Sequence, residues 1–267
     1  MISKILLFEN VPFSLRMAAL LASKLRAELL GLFIEDVNLL RLSSLPFAFE
    51  TEIHSALTRS LEPESLLRRF RTMASQMEQQ IAAIAKELNI PWSFQTARGF
   101  LWMELIEAAK NCDLIIVSQK GPFSNFLSFY EDPLFQLLEE AKKPVLFLPS
   151  DKPLGPPFGV LINPSKDFLP ILTFAANLAK KFNGGLTLFV FNGTLSSAQK
   201  NYVEALASDM AQLSVIEGLG KDPMALASTI AEEKIGLLIF SMSGIDLKKA
   251  TLKDLLRKLN CLVLLSP

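Results

Sequence analysis

The sequence predicts an α/β protein built from two copies of one parallel-sheet unit, the second copy shortened. Three observations carry this reading. Short apolar runs alternate with longer helical patterns, which favours a parallel sheet with helices on both faces. Internal strings recur in the same order in the two halves. A Pro/Gly-rich segment, 149–159 (PSDKPLGPPFG), then separates the halves as a stiff linker.

The elements follow in order. Residues 4–8 (KILLF) form a continuous apolar run, as expected of a strand covered on both faces. Residues 14–27 are an Ala/Leu-rich helix, and 29–34 (LLGLFI) return to strand. The stretch 36–60 reads as irregular. Pro63 opens a long helix to about residue 88, with Leu66, Phe70, Met73, Met77, Ile81, Ile84 and Leu88 on one stripe. Residues 92–96 are a third strand, 101–110 a helix, 114–118 (LIIVS) a fourth strand, 133–142 a helix and 145–148 (VLFL) the closing strand.

The second half repeats this order. Residues 18–33 correspond one for one to 175–190, and 113–121 (DLIIVSQKG) to 236–244 (GLLIFSMSG). The segment between these strings is shorter in the second copy by about a helix, so its central helix is expected to be missing. The units are placed at 1–149 and 159–267, joined by 150–158.

Composition excludes several classes. Twenty-seven basic and 27 acidic residues leave no net charge to draw the chain to nucleic acid. Arg59, Arg68, Arg69 and Arg71 form a basic group without aromatic interleaving, so a solvated face is expected. Two isolated cysteines, Cys112 and Cys261, provide neither a disulfide framework nor a metal motif and read as small buried hydrophobes. No apolar run approaches the roughly 20 residues of a membrane span, and the N-terminal run lacks a signal-peptide pattern. A cytoplasmic location is expected.

Catalytic inventories are thin. His54 is the only histidine and stands without a neighbouring triad motif. The nucleophile elbow, the P-loop and the zinc-protease helix are absent, and Gly218-Leu219-Gly220 lacks the third glycine of a dinucleotide fingerprint.

The string KILLFENVPFSLRMAALLASKLRAELLGLFIED resembles the opening β-α-β of the universal stress protein superfamily. ARGFLWMELIEAAKNCDLIIVSQKG is similar to its third strand, helix and fourth strand, AKKPVLFLP to its closing strand, and EDVNLLRLSSLPFAFE to a proteobacterial subgroup. The resemblance covers 1–150 and, more weakly, 156–267. It implies two tandem doubly wound five-stranded parallel-sheet domains of the kind also used by adenine-nucleotide hydrolases. It further implies that the two fifth strands pair, making an internal pseudo-dimer.

ATP-binding members resemble one another in a loop after the fourth strand: Gly, two residues, Gly, nine residues, Gly and Ser or Thr. Glycines admit phosphate close to the backbone, while a helix N-terminus and a hydroxyl donate to its oxygens. Here Ser118 replaces the first glycine, Gly121 keeps the second, and Glu131 and Asp132 stand at the Gly-Ser position. At an effective dielectric near 20, like charges about 4 Å apart repel by roughly 4 kcal/mol. A micromolar affinity is worth about 8 kcal/mol. The site therefore reads as closed to ATP in the family manner. Asp132 before Pro133 equally suits an N-cap and first helical residue. Asn10 stands near the family's acidic, adenosine-binding position, with Asn163 as its counterpart. Either asparagine could bind a ribose or base, or simply turn the chain after a strand.

In the second copy Ser241 and Gly244 mirror Ser118 and Gly121. Only six residues separate Gly244 from Thr251, too few for the phosphate loop, and Thr251 with Asp254 suggests a capping box. Two apolar loops remain: 39–49 (LLRLSSLPFAF), and Phe123, Phe126 and Phe129 within the degenerate phosphate loop. Such side chains could fill the vacated cleft, cover another subunit or hold an apolar small ligand.

The sequence thus suggests a non-enzymatic binding or regulatory module in stress response. It would act through a protein partner, self-association or an apolar ligand, and would need no cofactor. The alternative is binding of ATP or AMP, or weak ATP hydrolysis, through an altered first-domain site.

Overall fold

A computed structural model describes residues 2–8, 12–51, 58–118, 133–148, 153–166, 168–220, 222–244 and 249–267. The chain packs as two compact units, Met1–Asp113 and Leu114–Pro267.

The first unit contains β1 (Lys4–Leu7), α1 (Pro12–Leu25), β2 (Glu28–Asp36), α2 (Val37–Ser43), β3 (Phe49–Thr51), β4 (Thr58–Ser60), α3 (Pro63–Leu88), β5 (Trp92–Gly99) and α4 (Leu101–Lys110). β1, β2 and β5 are parallel, with β2 in the middle. Seven of the nine β2 residues are buried, which explains its unbroken apolar run. A side chain at Gly31 would collide with Ile81 of α3 and the Phe94 ring of β5, so glycine is what lets α3 lie close on the strands.

α3 runs as expected, with Pro63 at its first turn and Asn89 closing it in the left-handed region at φ 50°. Its buried stripe is Leu66, Phe70, Ala74, Met77, Ile81 and Ala85. Met73 is exposed and Ile84 only half-buried, so the stripe lies slightly around the helix from the expected one. Small alanines face the sheet, where the helix approaches it. The described parts of 36–60, residues 36–51 and 58–60, hold regular elements where an irregular stretch was expected: Asp36 caps α2 by accepting from Asn38 N at 2.8 Å, and β3 and β4 form an antiparallel ribbon. Asp113 ends the unit by accepting from Ser3 N (2.7 Å), Ser3 Oγ (2.6 Å) and Lys4 N (3.0 Å).

The second unit contains β6 (Leu114–Ser118), α5 (Pro133–Ala141), β7 (Val145–Leu148), β8 (Phe158–Ile162), α6 (Phe168–Lys181), β9 (Leu186–Phe191), α7 (Ser197–Ala207), β10 (Leu213–Leu219), α8 (Pro223–Glu232), β11 (Leu237–Ser241), α9 (Lys249–Lys258) and β12 (Leu262–Ser266). Its strands lie in the order β10-β9-β8-β11-β12-β7-β6. The last five strands of the chain are a complete parallel repeat whose order reverses between β8 and β11. With right-handed crossovers, that reversal puts α6 and α7 on one face and α8 and α9 on the other, which is the doubly wound arrangement.

β7 and β12 pair antiparallel, Leu146 opposite Leu264, Phe147 opposite Val263 and Val145 opposite Leu265. This is the fifth-strand pairing that the resemblance implies. The central helix of the second copy is not lost. It persists as α7, reduced to 11 residues from the 26 of α3. Helix α9 also begins earlier than Thr251, so that threonine lies inside the helix and forms no capping box. Leu154, before β8, is buried, and a side chain at Gly236 would strike the Gly155 carbonyl oxygen.

Candidate functional site

In a doubly wound sheet the crevice for a ligand opens at the carboxyl ends of the strands where the order reverses. In the second repeat that point is marked by Asn163 after β8 and by Ser241 to Gly244 after β11.

Asn163 is buried and turns the chain. Its Oδ1 accepts from Ser165 N at 3.0 Å and its carbonyl from Lys166 N at 3.0 Å. The next carbonyl, of Pro164, accepts from Gln199 Nε2 at 2.7 Å. Gln199 belongs to a capping box: Ser196 Oγ accepts from Gln199 N, while Gln199 Oε1 accepts from Ser196 N. The turn is thereby latched to the start of α7. An open cavity of about 600 Å³ lies beside it, bordered by Lys166, Phe168, Gln199 and Tyr202. Tyr202 is positioned by its hydroxyl, 2.9 Å from Thr173 Oγ1, and by an edge-on contact with Phe168. These residues escaped the sequence reading: the Ser196-x-x-Gln199 spacing of a capping box could have marked the start of α7, while Phe168, Thr173 and Tyr202 carry no such signal.

After β11 the hydroxyls turn on one another. Ser241 Oγ lies 2.8 Å from Ser243 Oγ, accepts from Gly244 N at 3.3 Å and reaches the Pro267 carbonyl at 3.3 Å. A cavity of about 340 Å³ adjoins them, lined by Ile171, Phe174, Ser241, Ser243, Leu264 and Ser266. Among the described residues its lining is hydroxyls, hydrocarbon and the Pro267 backbone, without a cation to balance phosphate charge, which suits a small amphipathic molecule. Among the described residues, no cluster of His, Cys, Asp or Glu could hold a metal ion.

Of the first-copy site positions, Ser118 ends β6 opposite Leu148 of β7. Asn10, Gly121, Glu131 and Asp132 lie outside the described residues, as do His54, Phe123, Phe126 and Phe129. Pro133 is the first residue of α5. Cys112 and Cys261 are buried, at 1% and 2% exposure.

The basic group has a structural use. Arg69 Nη1 lies 2.6 Å and Arg59 Nε 2.7 Å from the Glu50 carboxylate, tying the β3–β4 ribbon to α3. The Arg69 hydrogen bond, with Coulombic help from both arginines, holds the Glu50 carboxyl below its ordinary range. Glu28 is likewise held down, first by the Ser93 hydroxyl and then by Lys4. The apolar run 39–49 does not fill an interior. Leu39, Leu42, Leu45, Phe47 and Phe49 are all exposed, Phe47 at 88%. Arg41 of α2 sits 5.2 Å from the centre of the Phe100 ring.

No helix among the described residues is long and apolar enough to cross a membrane. No family model matches the sequence, and no curated protein matches it. Solved structures do match. A universal stress protein from Archaeoglobus fulgidus DSM 4304 is 15% identical with a TM-score of 0.68, covering 98% of this chain and 97% of that chain. A functionally unknown protein from Pseudomonas aeruginosa PAO1 is 16% identical with a TM-score of 0.63, covering 99% and 92%. A putative universal stress protein from Pseudomonas aeruginosa UCBPP-PA14 is 15% identical with a TM-score of 0.60, covering 99% and 93%. At these identities what is shared is architecture: over essentially its whole length, the chain has the universal stress protein fold.

Proposed function

We propose that the chain is a tandem universal-stress-type binding and regulatory module of the cytoplasm, with repeat limits at 1–149 and 159–267. It works in a stress response through a protein partner, self-association or an apolar small ligand, and it does not hold ATP in the family manner. The observation that carries this reading is the self-satisfied crevice of the second repeat. Asn163 Oδ1 accepts from Ser165 N, and Gly244 N donates to Ser241 Oγ, so both groups already have a partner within the crevice's own turns. In the first repeat, Asn10, Ser118 and Gly121 stand at the positions of a degenerate site in the sequence, and the carboxylates Glu131 and Asp132, at its Gly-Ser position, would repel polyphosphate.

Calorimetric titration with ATP and AMP tests this, on protein whose co-purifying small molecules have been identified by mass spectrometry. No heat of binding is expected. Micromolar binding overturns the reading in favour of a nucleotide-binding or weakly hydrolysing protein, and Glu131→Gly with Asp132→Ser then locates the site.

A further inference from the structure

Among the described residues β5 is paired on one side only, with β2. Its register is unbroken from Trp92 to Gly99, it contains no lysine, proline or bulge, and its one charge, Arg98, is paired with Glu35 of β2. At the far end of the second unit's sheet, β10 is blunted. Its pairing shifts between Ile216 and Leu219, and Gly218 takes a φ of 79°.

The direction of the free groups on β5 follows from its pairing. The Pro91 carbonyl accepts from Leu29 N. In a parallel ladder this makes Ser93, Gln95 and Ala97 the residues whose backbone groups face β2, so those of Trp92, Phe94, Thr96 and Arg98 face outward. An antiparallel copy of the same strand, related by a two-fold axis through Gln95, sets Trp92 opposite Arg98 and Phe94 opposite Thr96. Every outward-facing N–H and carbonyl then finds its mate. On that face an aromatic ring meets a guanidinium and a second ring meets a β-branched side chain, both favourable cross-strand pairs. On the other face Gln95 meets its own copy, amide to amide, and Ser93 meets Ala97. No like charges oppose one another. A polar groove of about 390 Å³ between β5 and α4, bordered by Ser93, Gln95 and Glu104, leaves that side of the edge open.

We propose that the β5 edge is a homodimer interface, two copies joining β5 to β5 antiparallel about Gln95. The contact is isologous and closed, so it gives dimers and not filaments. This deepens the self-association part of the function proposed above. The fold's fifth-strand pairing is already used within the chain, between β7 and β12.

The test uses the full chain. Gln95 sits at a non-hydrogen-bonded position of the proposed pair, where antiparallel Cα atoms come within about 4.5 Å, inside the range a disulfide spans. Gln95→Cys is expected to give a covalent dimer under mild oxidation. Gln79→Cys, on exposed α3 surface, should stay monomeric on a non-reducing gel. In sedimentation, wild-type protein should be dimeric at concentrations of about 10–100 µM, a range typical of moderate interfaces. Thr96→Pro removes an outward N–H without touching the β2 ladder, and Gln95→Lys puts two cations together at the axis. Either should give folded monomer with unchanged circular dichroism. A monomeric wild type, a Gln95→Cys protein that cross-links no better than the control, or a dimer that survives Gln95→Lys overturns the interface. Nucleotide titration is read separately, so failure here leaves the ATP-independent reading standing.

Discussion

Arg98 and Glu35 are register partners on β5 and β2, and the guanidinium Nη2 lies 2.5 Å from Glu35 Oε2. The carboxylate is 9% exposed and the arginine 54%, so one end of the pair is dry and the other wet. Removing the wet partner strands a buried charge. Arg98→Ala is therefore expected to cost about 1–3 kcal/mol in urea denaturation. Lys110→Ala, which breaks an exposed pair with Glu107 one turn away on α4, should cost less than about 0.5 kcal/mol.

The ribbon β3–β4 should loosen in acid. Glu50 has its folded pKa depressed by Arg69 and Arg59. Its contribution is thus present above the unfolded carboxyl pKa of about 4.3 and fades as pH falls through the lower folded value. Relative to the intrinsic exchange rate at each pH, amide protection at residues 49–51 and 58–60 is expected to fall below pH of about 4 in the wild type. Glu50→Gln should remove that acid dependence and leave protection low throughout.

Two glycines of the second repeat should answer alanine in opposite ways. At Gly236 the added methyl meets the Gly155 backbone carbonyl, which cannot swing aside. Gly236→Ala is expected to destabilise by about 1–3 kcal/mol. At Gly220 nothing lies within reach, and Gly220→Ala should be neutral or stabilise by up to about 1 kcal/mol through the unfolded chain. Paired melting curves decide this.

At the antiparallel seam, Leu146 and Leu264 are both buried and directly opposed. Each alanine substitution is expected to cost about 2–4 kcal/mol. The double variant should lose less than the sum, because the two truncations share one cavity. Additive losses in a urea series would show that the side chains do not pack on each other.

Most of the fold was legible because its signals were local. Pro63 and Pro133 opened their helices, and the runs at 114–117 and 145–148 are buried. Helix α2 was missed because Leu39 and Leu42 point outward, so seven residues show no buried stripe to read. The C-terminal part of β5 was missed because Ala97-Arg98-Gly99 looks like a turn. Its strand character comes from Glu35, far away in sequence. In the second repeat the turn at Asn163 was readable from its residue type, whereas its latch to Gln199 depends on α7 arriving beside it. Only Ser118 of the first-copy site positions falls among the described residues, so its placement rests on strand β6 alone.

The β7–β12 seam has a consequence for how the protein meets changing abundance. Where two separate chains pair through such strands, assembly follows mass action and dilution dissolves it. Here both strands belong to one polypeptide, so the encounter is unimolecular and the seam is indifferent to expression level. Covalent fusion also releases the two halves from having to match. One half carries α2, the ribbon and a 26-residue helix; the other has an 11-residue helix and a crevice whose hydroxyls bond one another. Division of labour between unequal halves becomes available once neither can be replaced by a copy of the other.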